Sequence, residues 1–277
     1  MDDLRLIDTF SGIGGFSYAA EKLLGGYKTV AFVECEPYCK KVLKKHWPKV
    51  PIYDDIRTYK PEPYSADVIC GGFPCQDISQ AGRQAGITKE TRSGLFFELM
   101  RIVRLVRPKF VILENVSAIL NNGLGIVLGE LAEAGFDCEW ACIPASAVGA
   151  CHQRARWWLV AYSTGISNES QGQIQSRRNT FIRSSTPNSM LKGLQGFRSK
   201  HELRESSAKK STTWRDCGIT LEQDWKRYIS KPVLCRGDDG LSNRVHRLKA
   251  LGNSIVPQVA TIPLKRVLDL ANAAQGI

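Results

Sequence analysis

A cysteine in a glycine- and proline-rich segment is the first residue of this sequence whose surroundings favour chemistry. Cys75 lies in the segment G-G-F-P-C-Q-D-I-S, residues 71–79, directly after an apolar run. In open α/β sheets, the segments that follow strand ends expose ligand-binding residues. A thiolate in such a segment is an accessible nucleophile, whereas most cysteines of a reducing compartment are buried and inert. We therefore predict that Cys75 is a catalytic nucleophile.

A carboxyl group ends a second apolar run, Phe110–Glu114, which Asn115 and Val116 follow. The carboxyl ends of parallel strands share one edge of a sheet, so we expect Glu114 on the same edge as Cys75. Burial would favour the protonated form of Glu114, which suits a proton donor to a ring nitrogen. A structural acid that caps the next helix is the alternative.

A glycine-rich turn, D-T-F-S-G-I-G-G-F over residues 8–16, joins the first predicted strand to the first helix. Glycines let such a turn bend tightly and approach a ligand, although the spacing is not G-x-G-x-x-G and a plain turn is the alternative. Glu34 ends the second strand, where a carboxylate can accept hydrogen bonds from a ribose diol. Asp55, after a third strand, can accept one from an adenine amino group. Together these residues predict an adenosine pocket.

Two arginines precede the last predicted strand in H-Q-R-A-R, residues 152–156. In an extended segment, Arg154 and Arg156 point to the same side and could share a task such as fixing a carboxylate or a pyrimidine carbonyl. Exposed, solubilising arginines are the alternative.

The elements that would hold these residues alternate between short apolar runs and amphipathic stretches, from Leu4 to Tyr162. This alternation predicts an α/β fold with a mostly parallel sheet, crossover helices and strands buried on both faces. We expect strands at Leu4–Phe10, Thr29–Glu34, Ala66–Gly71, Phe110–Glu114 and Trp157–Ala161. We expect helices at about Gly15–Leu24, Pro37–His46, Ser93–Val106 and Leu124–Ala134.

After Tyr162 the alternation fails, and Ser, Thr, Asn, Gln, Gly and basic residues dominate to about Lys210. A disordered linker and an irregular, loop-rich lobe both fit this composition; Phe197, Trp214, Trp225 and Tyr228 favour the lobe. From Leu241 regular structure returns and ends in an apolar helix over about Ser254–Ala273. The predicted division is therefore a catalytic domain of residues 1–162 and 241–277 around a small lobe of residues 163–240.

Charge and cysteine usage narrow the class of protein. The net charge is +11, and Lys and Arg outnumber Asp and Glu by 14 to 6 between Ser163 and Arg236, which favours a polyanionic partner. None of the nine cysteines forms a C-x-x-C pair, so zinc-ribbon and thioredoxin-like spacings are absent. No apolar run approaches the ~20 residues of a membrane span, and the first residues do not resemble a secretory leader. We expect a cytoplasmic protein.

Taken in order, the motifs resemble those of the DNA cytosine-5 methyltransferase family over residues 4–162 and roughly 244–273. F-S-G-I-G-G is similar to its cofactor motif, G-G-F-P-C-Q-D-I-S to its catalytic loop and E-N-V to its third signature. H-Q-R-A-R is similar to its paired-arginine motif, and L-G-N-S-I-V, residues 251–256, to its late G-N-S motif.

The resemblance implies a Rossmann-like, S-adenosylmethionine-dependent methyltransferase domain with a target-recognition lobe and no metal. Cys75 would attack C6 of a flipped cytosine while Glu114 stabilises the protonated N3, and Arg156, with Arg154 beside it in the motif, would assist at the cytosine carbonyl. C5 and C6 cannot be reached while the base is stacked. The implied cofactor residues are Phe10, Ser11, Gly12, Ile13, Gly14, Gly15, Glu34, Asp55, Ile56, Pro74, Leu95, Asn253 and Ser254.

The sequence departs from the family pattern at three places. Cys35 stands where many relatives carry an aromatic residue, and His152 where glutamine is usual. Residues 244–248, R-V-H-R-L, replace the R-L-x-G-F-P block of many members, which bears on how the lobe packs.

The implied partner is double-stranded DNA, bound by a monomer of prokaryotic or phage origin, with a cognate restriction endonuclease that acts independently. Two alternatives remain open. An RNA cytosine-5 methyltransferase of the same family is disfavoured because residues 163–240 lack a C-F-T-like signature. A catalytically silent DNA-binding relative is disfavoured by the presence of both Cys75 and Glu114.

Overall fold

Seven strands form one sheet in the residues that the computed structural model describes, 2–74, 87, 94–164 and 244–274. In chain order they are β1 (Leu4–Thr9), β2 (Tyr27–Val33), β3 (Ile52–Tyr53), β4 (Val68–Gly71), β5 (Phe110–Val116), β6 (Phe136–Ile143) and β7 (Arg156–Ser163). Their order across the sheet is β3-β2-β1-β4-β5-β7-β6. The strands that follow β1 in sequence, β2 and β3, lie on one side of it, whereas β4 and the strands after it lie on the other side. A ligand crevice is expected where the neighbouring strands β1 and β4 end, because the strand order reverses there.

The mostly parallel sheet is confirmed. Strands β1 to β5 pair in parallel, and β7 runs antiparallel to both β5 and β6. The segment between β6 and β7 holds only a 3-10 turn at Ala145–Val148. Antiparallel neighbours need no crossover helix, whereas parallel ones do.

Six α-helices accompany the strands in the described residues. They are α1 (Gly15–Tyr18), α2 (Pro37–His46), α3 (Leu95–Val106), α4 (Leu124–Glu133), α5 (Arg244–Asn253) and α6 (Pro257–Ala274). The helix predicted at Gly15–Leu24 is α1 continued by a π-helix over Ala19–Leu24. Strand β6 and helix α5 were not predicted, and β3 was expected only as a strand ahead of Asp55, without bounds. None of the helices in these ranges is long and apolar enough to cross a membrane.

The apolar strands are buried on both faces, as predicted. On β5, Phe110 and Ile112 face a cluster that contains Val259 of α6, while Val111 and Leu113 face a cluster that contains Leu99 of α3. Alternate side chains of a strand point to opposite faces, so β5 supplies both layers.

The C-terminal helix packs on the sheet that the first 164 residues build. Helix α6 contacts the Ala19–Leu24 π-helix and β7, and the hydroxyl of Tyr27 donates a buried hydrogen bond of 2.6 Å to the carbonyl of Leu264. Residues 165–243, which include nearly all of the predicted lobe, lie outside the described residues. The division into domains therefore stays a prediction.

Candidate functional site

A cavity of about 430 Å³ opens at the edge of the sheet where β1, β2, β4 and β5 end. Ten predicted site residues line it together: Phe10, Glu34, Asp55, Ile56, Pro74, Leu95, Glu114, Arg154, Arg156 and Asn253. The sequence analysis did not assign a role to the other lining residues, which are Val33, Cys35, Asp54, Arg57, Gly72, Phe73, Asn115, Val116 and Gly252. Most of these residues are adjacent in sequence to predicted site residues, so the sequence motifs identified the segments that line the cavity.

The glycine turn shapes one wall of the cavity. Phe10 reaches the cavity with a positive φ of 52°, and Gly14 has a φ of 85°, in the left-handed region that glycine tolerates. A Cβ on Gly15 would lie 2.6 Å from Ile255, so this position must be glycine for the C-terminal segment to pack against it. Residues 11–15 and Ser254 are not among the lining residues of the described structure.

A buried acid anchors this turn. The Asp8 carboxylate, fully buried at the end of β1, accepts hydrogen bonds of 2.8 Å from the Ser17 hydroxyl and 3.3 Å from the Ser17 backbone N–H. Burial raises the pKa of Asp8 to about 7. No role was predicted for Asp8, although an acidic residue directly before a glycine-rich turn indicates a side chain that can bind the backbone of that turn.

The two acids of the predicted adenosine pocket lie in different environments. Glu34 accepts hydrogen bonds of 2.7 Å from the backbone N–H groups of Gly12 and Glu36, one on each carboxylate oxygen. Burial raises the pKa of Glu34. Asp55 is more exposed and is paired with Arg57 at 2.8 Å, and this hydrogen bond lowers the pKa of Asp55.

Glu114 and Arg156 form an ion pair at the cavity, with 3.2 Å between Arg156 Nε and Glu114 Oε1. Burial raises the pKa of Glu114 to about 7, and the charges of Arg156 and Arg154 oppose this rise. A Cβ on Gly72 would lie 3.0 Å from Glu114 Oε2, so the segment after β4 lies directly beside this carboxyl. Glu114 can therefore exchange a proton near neutral pH next to that segment.

The two arginines both line the cavity, but the extended backbone that was expected to align them is not observed at Arg154. Arg154 has a φ of 33°, outside the extended region, and its Nη2 donates to the carbonyls of Gly252 at 2.8 Å and Ser254 at 2.7 Å. Only Arg156 is ion-paired with Glu114 in the described structure. Through these hydrogen bonds, Arg154 connects the segment before β7 to the C-terminal end of α5.

The segment that leads to the predicted nucleophile is fixed by Asn115. The Nδ2 of this buried side chain donates a 3.1 Å hydrogen bond to the carbonyl of Phe73, and Pro74 lines the cavity. Cys75 lies outside the described residues. Asn115 was missed as a functional residue, although it stands inside the E-N-V motif.

Comparison with known proteins identifies a family. The sequence model of the C-5 cytosine-specific DNA methylases matches residues 4–233. The type II methyltransferase M.CviJI of Paramecium bursaria Chlorella virus IL3A is 35% identical over 160 residues, 57% of this chain and 42% of that protein. M.HpaII of Haemophilus parainfluenzae is 34% identical over 193 residues, 65% of this chain and 52% of that protein. The chain thus spans about half the length of these relatives.

Among solved structures, the Entamoeba histolytica methyltransferase EhMeth aligns with a TM-score of 0.49 and 16% identity, covering 58% of this chain and 53% of that one.

Proposed function

The chain belongs to the C-5 cytosine-specific DNA methylase family, and we propose that it transfers a methyl group from S-adenosylmethionine to C5 of a flipped-out cytosine in duplex DNA. Glu114 gives the strongest support for this chemistry. It is a buried carboxyl with a pKa of about 7, paired with Arg156 and beside the segment that leads to Cys75.

The residues of the cavity fit S-adenosylmethionine in size and in chemistry. The volume of about 430 Å³ is within the range of about 300–1,000 Å³ for small-molecule sites. Each oxygen of Glu34 accepts one backbone hydrogen bond and keeps a second acceptor site for a ribose hydroxyl. Phe10, Pro74 and Leu95 supply apolar surface, and Asp55 and Ile56 would receive the adenine. When bound, this group supplies an electrophilic methyl on sulfur.

Cys75 and Glu114 would activate the base together. The thiolate of Cys75, the residue after Pro74, forms a bond to C6 of the cytosine while the protonated Glu114 donates to N3. Arg156, whose Nε lies 3.2 Å from Glu114 Oε1, would hold that carboxyl and donate to the cytosine carbonyl. Electron density then reaches C5, which would form a bond to the methyl carbon as the sulfur–methyl bond breaks and S-adenosylhomocysteine is left. Loss of the C5 proton to solvent, return of the N3 proton to Glu114 and expulsion of the thiolate would restore the aromatic ring and free Cys75.

The same proposal extends to partners and organisation. Residues 1–162 and 241–277 would form the catalytic domain, and residues 163–240 would read the DNA target. The relatives are named type II methyltransferases, which supports a restriction-modification setting inside a cell, with a cognate endonuclease acting separately.

Transfer of a tritiated methyl group to duplex DNA, single-stranded DNA and transfer RNA tests the proposal. We expect label in duplex DNA, recovered as 5-methylcytosine, and none with Cys75→Ser, since a hydroxyl is a far poorer nucleophile than a partly ionised thiol. The variant should still bind S-adenosylmethionine. Label in RNA alone would identify an RNA enzyme, and no label in any substrate would indicate a silent DNA-binding relative.

A further inference from the structure

Arg101, which is not among the lining residues of the cavity, binds the backbone of residues 56–59, a segment that continues the cavity wall formed by residues 54–57. Asp54, Asp55, Ile56 and Arg57 all line the cavity. The sheet holds this segment only weakly, because β3 before it has two residues, which pair with Phe32 and Val33 of β2. Beyond β3, the buried side chains of Ile56 and Tyr59 pack in the core, and the backbone carbonyls of the segment are bound from another element.

Helix α3 is that element. The Nη2 of Arg101 donates to the carbonyls of Ile56 at 2.6 Å, Tyr59 at 3.1 Å and Arg57 at 3.3 Å, and its Nη1 donates to Tyr59 at 3.1 Å. Its Nε is paired with Glu98, one turn earlier on α3, at 2.7 Å. The planar fork of an arginine can hold several acceptors in one fixed arrangement, which a lysine cannot do.

The helix that carries Arg101 is itself rigidly seated. Leu99, Met100 and Ile102, beside Arg101, are fully buried in the core, and Leu95 at the start of the same helix lines the cavity. One helix thus contributes a wall residue and, through Arg101, fixes the opposing turn. On the proposed function, that turn receives the adenine end of the methyl donor.

We propose that Arg101 is a positioning residue that sets the affinity for the adenosine end of S-adenosylmethionine without touching it. This inference rests on the proposed function, because the cavity must bind that molecule for the affinity to be measured. Removing the guanidinium would leave three carbonyls without this donor. Residues 54–57 would then be less ordered before binding, and ordering them would reduce the affinity for the ligand.

Calorimetric titration with S-adenosylhomocysteine, on the unchanged protein and on Arg101→Ala, tests this role. We expect binding about tenfold weaker in Arg101→Ala, since several charge-assisted hydrogen bonds are lost. In methyl transfer, the KM for S-adenosylmethionine should rise by about the same factor while kcat at saturation stays within about twofold. A residue needed only for folding would instead lower kcat through a smaller active fraction.

Arg104→Ala is the matched control. Arg104 lies on the same helix and pairs with Glu130 and Glu133 of α4, at 2.6 and 3.8 Å, rather than with the cavity wall. Its loss should leave affinity for S-adenosylhomocysteine unchanged. If Arg101→Ala does not fold, Arg101→Lys serves instead, with an expected weakening of about threefold because one donor group remains.

The outcomes separate the two claims. If the unchanged protein binds S-adenosylhomocysteine and the Arg101 variants bind equally well, the positioning role is wrong and the proposed function stands. If the Arg104 variant loses as much affinity as the Arg101 variant, the effect is general to α3 and the role is again wrong. If the unchanged protein does not bind S-adenosylhomocysteine, the proposed function fails and this inference fails with it.

Discussion

Burial and charge act on Glu114 in opposite directions. Burial raises its pKa, whereas Arg156 at 3.2 Å and Arg154 lower it, and the balance leaves the pKa at about 7. A carboxyl group with its ordinary pKa of 4.5 would hold almost no proton at neutral pH. The environment of this single residue therefore makes it a usable acid for the proposed chemistry.

Glu114→Gln should slow the methyl-transfer step by about 100-fold to 10,000-fold, because an amide keeps the shape but cannot supply the proton. Affinity for S-adenosylhomocysteine should stay within about twofold. Single-turnover rates and calorimetry measure the two effects separately. An equal loss of cofactor affinity would instead mean that Glu114 faces the cofactor.

The same substitution should also change the pH dependence. The proposed step needs protonated Glu114 together with the Cys75 thiolate, so ionisation of Glu114 should oppose the gain from thiol ionisation as pH rises through about 7, and the rate of Glu114→Gln should rise more steeply with pH over this range. Because the pKa is raised by folding, the stability that this group contributes is present below pH 4.5 and is lost as pH rises through about 7. Melting temperatures between pH 4 and 8 should show a smaller decline in the variant.

At the scale of elements, α5 and α6 join the sheet from far along the chain. Arg154 donates to the carbonyls of Gly252 and Ser254 at the end of α5, and the side chain of Ile255, two residues after α5, lies against Gly15. A cation near a helix C-terminus stabilises the exposed carbonyls and the helix dipole. These contacts bring Gly252 and Asn253 to the cavity.

Arg154→Ala should loosen α5, whereas Arg156→Ala should not. Losing hydrogen bonds from a charged donor should lower the local opening free energy of α5 by about 1–3 kcal/mol, so its amides should exchange roughly tenfold faster or more. Hydrogen exchange resolved by peptide measures this. Faster exchange in both variants, or in neither, would contradict the separate roles given to the two arginines.

At the scale of the whole molecule, about half of the net positive charge lies between the segments that build the sheet. Residues 163–240 hold 14 Lys and Arg against 8 Asp and Glu, a net charge of +6 out of +11. Phosphate contacts position a duplex but do not distinguish sequences, so discrimination must come from side chains that reach base edges.

Replacing residues 163–240 by the equivalent segment of a related enzyme should change which DNA sequence is methylated, while the product remains 5-methylcytosine. Base-resolution sequencing of plasmid from expressing cells detects both. Neutralising one phosphate-facing lysine should instead weaken binding to all sequences and reduce the salt dependence by about one unit of slope. An active chimera that kept the original site would assign recognition to the catalytic domain.

Local patterns in the sequence were sufficient for most elements and for the motif residues. Apolar runs and their breaks located five of the seven strands, and helix α2 was predicted at its observed bounds, Pro37–His46. Because parallel strands end at one edge, the residues after those runs, such as Glu34, Pro74 and Glu114, were expected together and line one cavity.

Only the tertiary structure decided the remaining features. The pairing of β7 with β5, the contact of Arg154 with Gly252, and the contact of Arg101 with the turn after β3 join residues 40 to 98 positions apart in the sequence. Hydrophobic periodicity predicts which face of a helix or strand is buried, but it does not predict which residues far away in the sequence a side chain will contact. The roles of Arg101 and Arg154 depend on such long-range contacts, so they could be assigned only from the tertiary structure.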